Sequence, residues 1–254
     1  MHSVFSATIL GKYRITYFYC NASGLLQTEP PYWLSEAYGS AIPDADTGLL
    51  ERNVANQSRL EPILHRIIRN DSQRIVDVGA GYGLLTRLLR DRGFDCYSYD
   101  AHCANLFAAG FEAGDHFDAD VLLAMEVLEH VEDPKSFLSG LFGKYNCRRI
   151  IFSTAVFDDQ VPPLDWWYYS FDSGQHITFY QPRTLEILAR KLGCFYSRLG
   201  SDLHMISNTP LSDLDRALLA GSRLSIAYAR YVRLMRRHKT YTWSDHLKIR
   251  QQTK

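Results

Sequence analysis

Five positions around one turn carry the strongest chemistry in this chain. In the run Arg74-Ile-Val-Asp77-Val-Gly79-Ala80-Gly81-Tyr-Gly83, a short apolar stretch enters a glycine turn and a helical pattern follows directly. Glycines serve where backbone must approach a ligand closely or take positive φ. The helix start offers unpaired N–H groups. A dinucleotide site wants G-x-G-x-x-G; here Leu84 occupies the third glycine position, and the glycine falls one residue early at Gly83. Asp77, two residues before Gly79, would repel a diphosphate but accept from an ammonium. D-x-G-x-G-x-G therefore favours a ligand with an amino-acid head group. Asp100 ends the next apolar stretch, where a carboxylate can accept from both ribose hydroxyls of an adenosine.

Two histidines are candidates for proton transfer to or from a hydroxyl nucleophile. His130 follows Met125, Glu126 and Glu129 in Met125-Glu-Val-Leu-Glu-His130, and Met125 and Glu126 are read as lining the cofactor pocket. His176 sits in a long aromatic loop. The plainer reading makes His130 a loop cap that orients Glu126 or Glu129, and His176 a loop anchor bonded to backbone. Trp166, Trp167, Tyr168 and Tyr169 could stack on a sugar or aryl ring, or pack the loop onto the sheet. Tyr38, Arg52 and Asn53 belong to an N-terminal segment that could cap the cofactor. The histidines are scattered without HxH or HExxH, so no metal site is expected.

The elements that must position these residues alternate. Strands are expected at Arg74–Val78, Asp95–Tyr99, 119–125, 149–155, 194–199 and Leu203–Ser207, with helices over 84–92, 101–109, Pro134–Lys144 and 182–192. Such alternation implies βαβ units and a parallel sheet, an α/β fold. Ahead of it, Tyr13–Cys20 and the turn 21–24 read as a small hairpin. A short helix follows at 32–40, then a loop through Pro43, then a helix over 49–70 with Pro62 as a candidate break. Behind the core, 212–238 reads as one long helix trailing into a polar tail. From Arg223 to Lys254 nine Lys and Arg face a single acid, Asp245. This gives a hairpin and cap over 1–48, a core over 49–209, and a basic C-terminal helix and tail over 210–254.

RIVDVGAGYG, YSYD and LLAMEVLEHVEDP together resemble the class I S-adenosylmethionine-dependent methyltransferases, and GQHITFYQPRTLEILARKLG is similar to a subgroup acting on small molecules, sugars, lipids and quinone precursors. The resemblance spans about 63–207. It implies a Rossmann-like, seven-stranded, mostly parallel sheet with one antiparallel strand, helices on both faces, and S-adenosyl-L-methionine across the strand ends. The gap between Asp100 and Ala119 leaves little room for a third strand and its adenine-binding acid, for which Asp115, His116 and Asp118 stay open. The expected activity is O-methylation of a saccharide or other hydroxylated small molecule. A nicotinamide-dependent oxidoreductase and a non-catalytic cofactor-binding scaffold are the alternatives.

Composition sets the outer limits. In 254 residues, Lys+Arg and Asp+Glu both number 28, so no overall basic excess draws in nucleic acid. The expected partner is a small molecule, anionic or sugar-linked; the basic tail reads first as a helix packed on the domain with a solvated basic face, and alternatively as a contact for an anionic substrate or an anionic membrane surface. No apolar run approaches the ~20 residues of a membrane span. Neither a signal peptide nor a paired cysteine framework is evident, so a reduced cytoplasmic setting is expected.

Overall fold

The structure, a computed structural model, describes residues 1–39, 47–68, 73–220, 223–235 and 240–252. The expected loop at Pro43 and the basic residues Arg236, Arg237, Lys239 and Lys254 lie outside them.

The core sheet has six strands in the order β5-β4-β6-β7-β10-β9. β4 (Arg74–Val78), β5 (Asp95–Tyr99), β6 (Val121–Met125) and β7 (Arg149–Ser153) are parallel; β10 (Leu203–Ser207) runs against β7, and β9 (Phe195–Arg198) runs against β10. One strand, β10, is thus reversed, as the resemblance implies. Adjacent residues on a strand face opposite ways. Ile75, Val121, Leu123 and Ile151 accordingly pack beneath α2 (Leu49–Ile67) and α3 (Leu84–Asp91), whereas Val76, Leu122, Ala124 and Ile150 pack against α4 (Pro134–Lys144) and α5 (Pro182–Lys191). Helices cover both faces.

The seventh strand is absent among the described residues; a single parallel bridge, Ser98 to Glu112, stands in its place. Residues 101–120 contain no Val, Ile or Thr, the residues that favour a pleated strand. The helix expected over 101–109 is also missing. Asp100 Oδ1 takes the N–H groups of His102 and Cys103 at 2.7 and 2.8 Å, and the Asn105 side chain bonds both the N–H and the carbonyl of Ala108. Such local side-chain bonds compete with helix formation. Pro62 does not break α2, which runs through it to Ile67.

The N-terminal hairpin is larger than expected. β1 (His2–Ile9), β2 (Tyr13–Cys20), β3 (Leu25–Thr28) and β8 (Thr178–Phe179) form a separate antiparallel sheet. β8 comes from the aromatic loop after β7, so this sheet is stitched to the core. α1 (Leu34–Ala37) follows it. At the other end the single expected helix is two, α6 (Asp213–Leu219) and α7 (Arg223–Met235), and the tail forms α8 (Thr242–Gln252). No described helix is long and apolar enough to cross a membrane.

Candidate active site

The chain passes from β4 to β5 on one side and then returns to β6 on the other side of β4. Open α/β sheets bind ligands at such a reversal, outside the carboxyl ends of the strands. A cavity of about 750 Å³ opens there, within the about 300–1,000 Å³ of small-molecule sites. Its floor is Asp77 to Tyr82, its flank Tyr99 to Cys103, and its far wall Met125 to Val127 with His130. Leu34, Tyr38, Arg52, Asn53 and Asn56 close it from the N-terminal side.

The glycine turn needs its glycines. Gly79 takes φ +69°, and a methyl there would stand 2.6 Å from Val127 Cγ2; Gly83, at φ +80°, would meet Asn105. Asp77 is only 2% exposed and accepts from the Thr86 hydroxyl at 2.9 Å. Burial pushes its carboxyl up to about 7; the Thr86 bond opposes this, while the nearby charge of Asp100 adds to it. Asp100 Oδ2 accepts from Gly81 N at 2.8 Å. With its Oδ1 bonds, three of about four acceptor positions on this carboxylate are used. It fixes the turn and keeps one position for a ligand.

Glu126, the residue after β6, takes the left-handed region, at φ +54°. Its N–H donates to Ser153 Oγ at 2.8 Å, and that hydroxyl donates back to Glu126 Oε1. Strained backbone of this kind collects at ligand sites. Tyr38 stacks on His102 with ring centres 5.3 Å apart and leans towards His130. Burial pushes its hydroxyl up to about 12.

The two histidines meet. Their ring centres lie 4.9 Å apart. His130 Nδ1 bonds Gln175 O at 3.0 Å, and His176 Nδ1 bonds Tyr168 O at 2.7 Å. A carbonyl only accepts, so each Nδ1 carries the proton and each Nε2 is left with its lone pair. Burial drives the His130 pKa down to about 3, helped by the neighbouring His176, and burial lowers that of His176 as well. Both rings are therefore neutral and weak as bases near pH 7. His176 thus anchors its loop to backbone, as its plainer reading has it; His130 bonds the backbone of Gln175 rather than orienting Glu126, which Ser153 holds, or Glu129.

The aromatic run lies elsewhere. Trp166 packs edge-on against Phe157 and Tyr169, Tyr168 is buried and bonded through its hydroxyl to Thr154, and Trp167 is 76% exposed. None of Trp166, Trp167 and Tyr168 lines the cavity, because the loop folds inward onto the N-terminal sheet and its rings fill that sheet's core. Asp115, His116 and Asp118 do not line it either; Asp115 is paired outside with Lys144. Glu129, read in the sequence only as a residue that His130 could orient, is 0% exposed, and neither carboxylate oxygen has a hydrogen-bond partner among the described residues. Burial first, and then the charge of Glu126, raises its pKa well above the usual range.

Residues 51–199 match the family model described as a methyltransferase domain, which is more than half of the chain. This chain belongs to that family. The methyltransferase domain is 31% identical over 121 residues to a ubiquinone biosynthesis O-methyltransferase of Rickettsia felis, covering 39% of this chain and 49% of the relative. The chain thus spans about half the length of that curated relative. Among solved structures, it is similar to the magnesium protoporphyrin IX methyltransferase of Synechocystis PCC 6803 with bound SAH, at 14% identity and TM-score 0.43, covering 70% of this chain and 96% of that one. It is also similar to human N-acetylserotonin methyltransferase in complex with SAM, at 14% identity and TM-score 0.45, covering 70% and 66%.

The cofactor of this family is S-adenosylmethionine, and the residues of the methyltransferase domain fit it. The turn over 79–83 leaves backbone room that a Cβ at Gly79 would fill. Asp77 at the cavity floor suits an ammonium, and Asp100 with a spare acceptor position suits a ribose hydroxyl. Tyr38 and Met125 offer apolar surface beside them.

Proposed function

We propose that the chain is an O-methyltransferase, moving the methyl group of S-adenosylmethionine to a hydroxyl of a small molecule. When bound, the cofactor supplies a methyl group on a sulfonium. The protein's contribution is alignment, and holding two reactants in line supplies much of the rate of such a displacement. Asp77, Gly79, Ala80, Gly81, Gly83 and Asp100 would hold the cofactor. Met125 and Glu126 would form the wall at its reactive end, with Tyr38 and Arg52 above it. His130, which belongs to the cavity wall, would meet the acceptor, with His176 behind it.

A single observation carries this reading: the cavity at the strand ends brings Asp77, Asp100, Glu126 and His130 to one space. Beyond the cofactor cradle the wall is Leu34, Val131 and Phe137, with Gln175 as a polar group. That lining suits a hydroxylated acceptor with an apolar or aryl face better than a bare saccharide, whose stacking rings would have been Trp166 to Tyr168.

Calorimetry with SAM and SAH tests the first step, with Asp77→Ala and Asp100→Ala as controls. Saturable binding to the parent and at least a tenfold loss in each variant is expected, about 1.4 kcal/mol. Unchanged affinity in both variants, or tight saturable NADH binding to the parent, would overturn the reading. Transfer of labelled methyl across a panel of sugars, phenols and aliphatic alcohols then identifies the acceptor class.

A further inference from the structure

We infer that Glu129, His130 and His176 form a binding site for one divalent transition-metal ion at the acceptor end of the cavity. This deepens the function proposed above, because the ion would sit where the acceptor hydroxyl must be held. One ligand atom from each residue lies within 4.8 Å of the others. Ligands of a bound ion at about 2.0–2.2 Å stand about 3–3.5 Å apart, so a contraction of at most about 1.3–1.8 Å closes the set.

Three independent features point to an ion rather than to a simple loop anchor. First, the Glu129 carboxylate is fully buried, yet both oxygens lack a partner. A buried polar group left unpaired costs about 1–3 kcal/mol, and more when charged, so its retention needs a reason. Second, the two histidines are arranged as ligating histidines are. Each gives its Nδ1 proton to a backbone carbonyl, Gln175 O or Tyr168 O, which fixes the ring and leaves Nε2 free; metal-ligating imidazoles show this outer bond almost always. Third, the scaffold around the three residues is tied on every side. Ile177 N donates to Glu129 O at 2.8 Å, Tyr180 donates to Leu128 O at 2.7 Å, and Thr178 donates to Val131 O at 2.7 Å. The N-terminal sheet joins in through Gln27, which donates to Glu132 O at 2.6 Å.

Two imidazoles and one carboxylate suit manganese, iron(II), cobalt or zinc better than magnesium or calcium, which prefer all-oxygen sets. Three protein ligands leave coordination positions open, as in catalytic rather than structural sites. Of the three, His130 lines the cavity while Glu129 and His176 stand behind it, so an acceptor would reach the ion past the His130 ring. An acceptor with one hydroxyl, or two adjacent ones, would complete the shell.

The test uses the whole chain after chelator treatment and gel filtration. Co(II) and Mn(II) are titrated separately, by absorption spectroscopy and by electron paramagnetic resonance, and SAH affinity is measured in parallel by calorimetry. The expected result is one saturable site per chain. In the parent protein, Co(II) should shift two imidazole N–H proton resonances far outside the normal range, one from each Nδ1. Glu129→Gln and His176→Gln should each weaken metal binding at least tenfold while SAH affinity and circular dichroism stay unchanged. Absence of a saturable one-to-one site in the parent, no shifted imidazole resonances, or equal metal affinity in the variants would overturn the inference. Intact SAH binding in that event would leave the methyltransferase reading standing; its loss in the parent would be the failure of that reading instead.

Discussion

Asp77 is the residue whose environment makes the sharpest demand. Its folded pKa of about 7 lies above the ordinary carboxylate value near 3.8. Between those values the folded chain binds a proton that the unfolded chain has released. The Asp77 contribution to stability is therefore complete below about pH 4 and is lost as pH rises through about 7. A bound ammonium reverses the preference, because it favours the ionised carboxylate. Two opposite trends should follow between about pH 4 and about pH 7. The ligand-free protein should lose thermal stability, while its affinity for SAM should rise. Asp77→Asn should flatten both, since its side chain does not titrate. Thermal unfolding and calorimetry at matched pH values check this. An unchanged pH slope in the Asn variant would place the linkage on another group. That Asp77 lines the cavity could be read from its place before the glycines. Its burial and its bond to Thr86 could not, since they depend on how α3 packs over the turn.

At the scale of elements, the strands were legible to the residue wherever a β-branched or apolar run was bounded by glycine or charge, as in Arg74–Val78, Asp95–Tyr99 and Leu203–Ser207. The failures share a cause: local pattern does not report on partners far along the chain. The tail that reads as polar folds as α8 because its one acid has a buried destination. Asp245 accepts from Arg90 Nε and Nη2 at 2.7 and 2.8 Å across 155 residues, and Arg87 pairs with it at 2.9 Å. The Arg90 guanidinium also lies 3.8 Å over the Phe111 ring and 5.0 Å over that of Tyr241. α8 thus packs on α3, where Thr242 also donates to Asp91 at 2.7 Å, and reaches Phe111 through Lys248. Removing one partner of a buried pair leaves an uncompensated charge and costs about 3–5 kcal/mol. Asp95 keeps one bond to Arg90 at 2.8 Å, so the lower end applies. Asp245→Ala should cost about 3 kcal/mol and lower the Tm by roughly 6–12 °C. The cavity lies away from this pair, so SAH affinity should stay unchanged. A Tm drop below about 2 °C would show that α8 contributes little to the domain.

Over the whole molecule, the cavity belongs to two structures at once. The side proposed to hold the cofactor is built from consecutive turns of the core sheet, which is why Asp77, Asp100 and Glu126, all lining the cavity, could be picked out from the sequence. The acceptor side is built by the N-terminal sheet, which donates β3 to β8 and so fixes the loop carrying His176 against the turn carrying Glu129 and His130. No spacing in the sequence announces that meeting, because residues 129–130 and 176 come together only through the fold. Trp33 and Gln175 reinforce the junction: Trp33 Nε1 donates to Gly174 O and Gln175 Nε2 to Ala37 O, both at 2.8 Å. Ligand binding should therefore tighten both structures. At 100 times its Kd, SAH should add about 2.7 kcal/mol to stability. Hydrogen exchange should slow not only over 77–83 and 100–103 but also over 34–38, 49–56 and 175–180. Protection confined to the first two segments would mean that the N-terminal sheet and α2 are bystanders to binding. Protection of all five would show that the cavity closes as one unit, with the acceptor side ordered before an acceptor arrives.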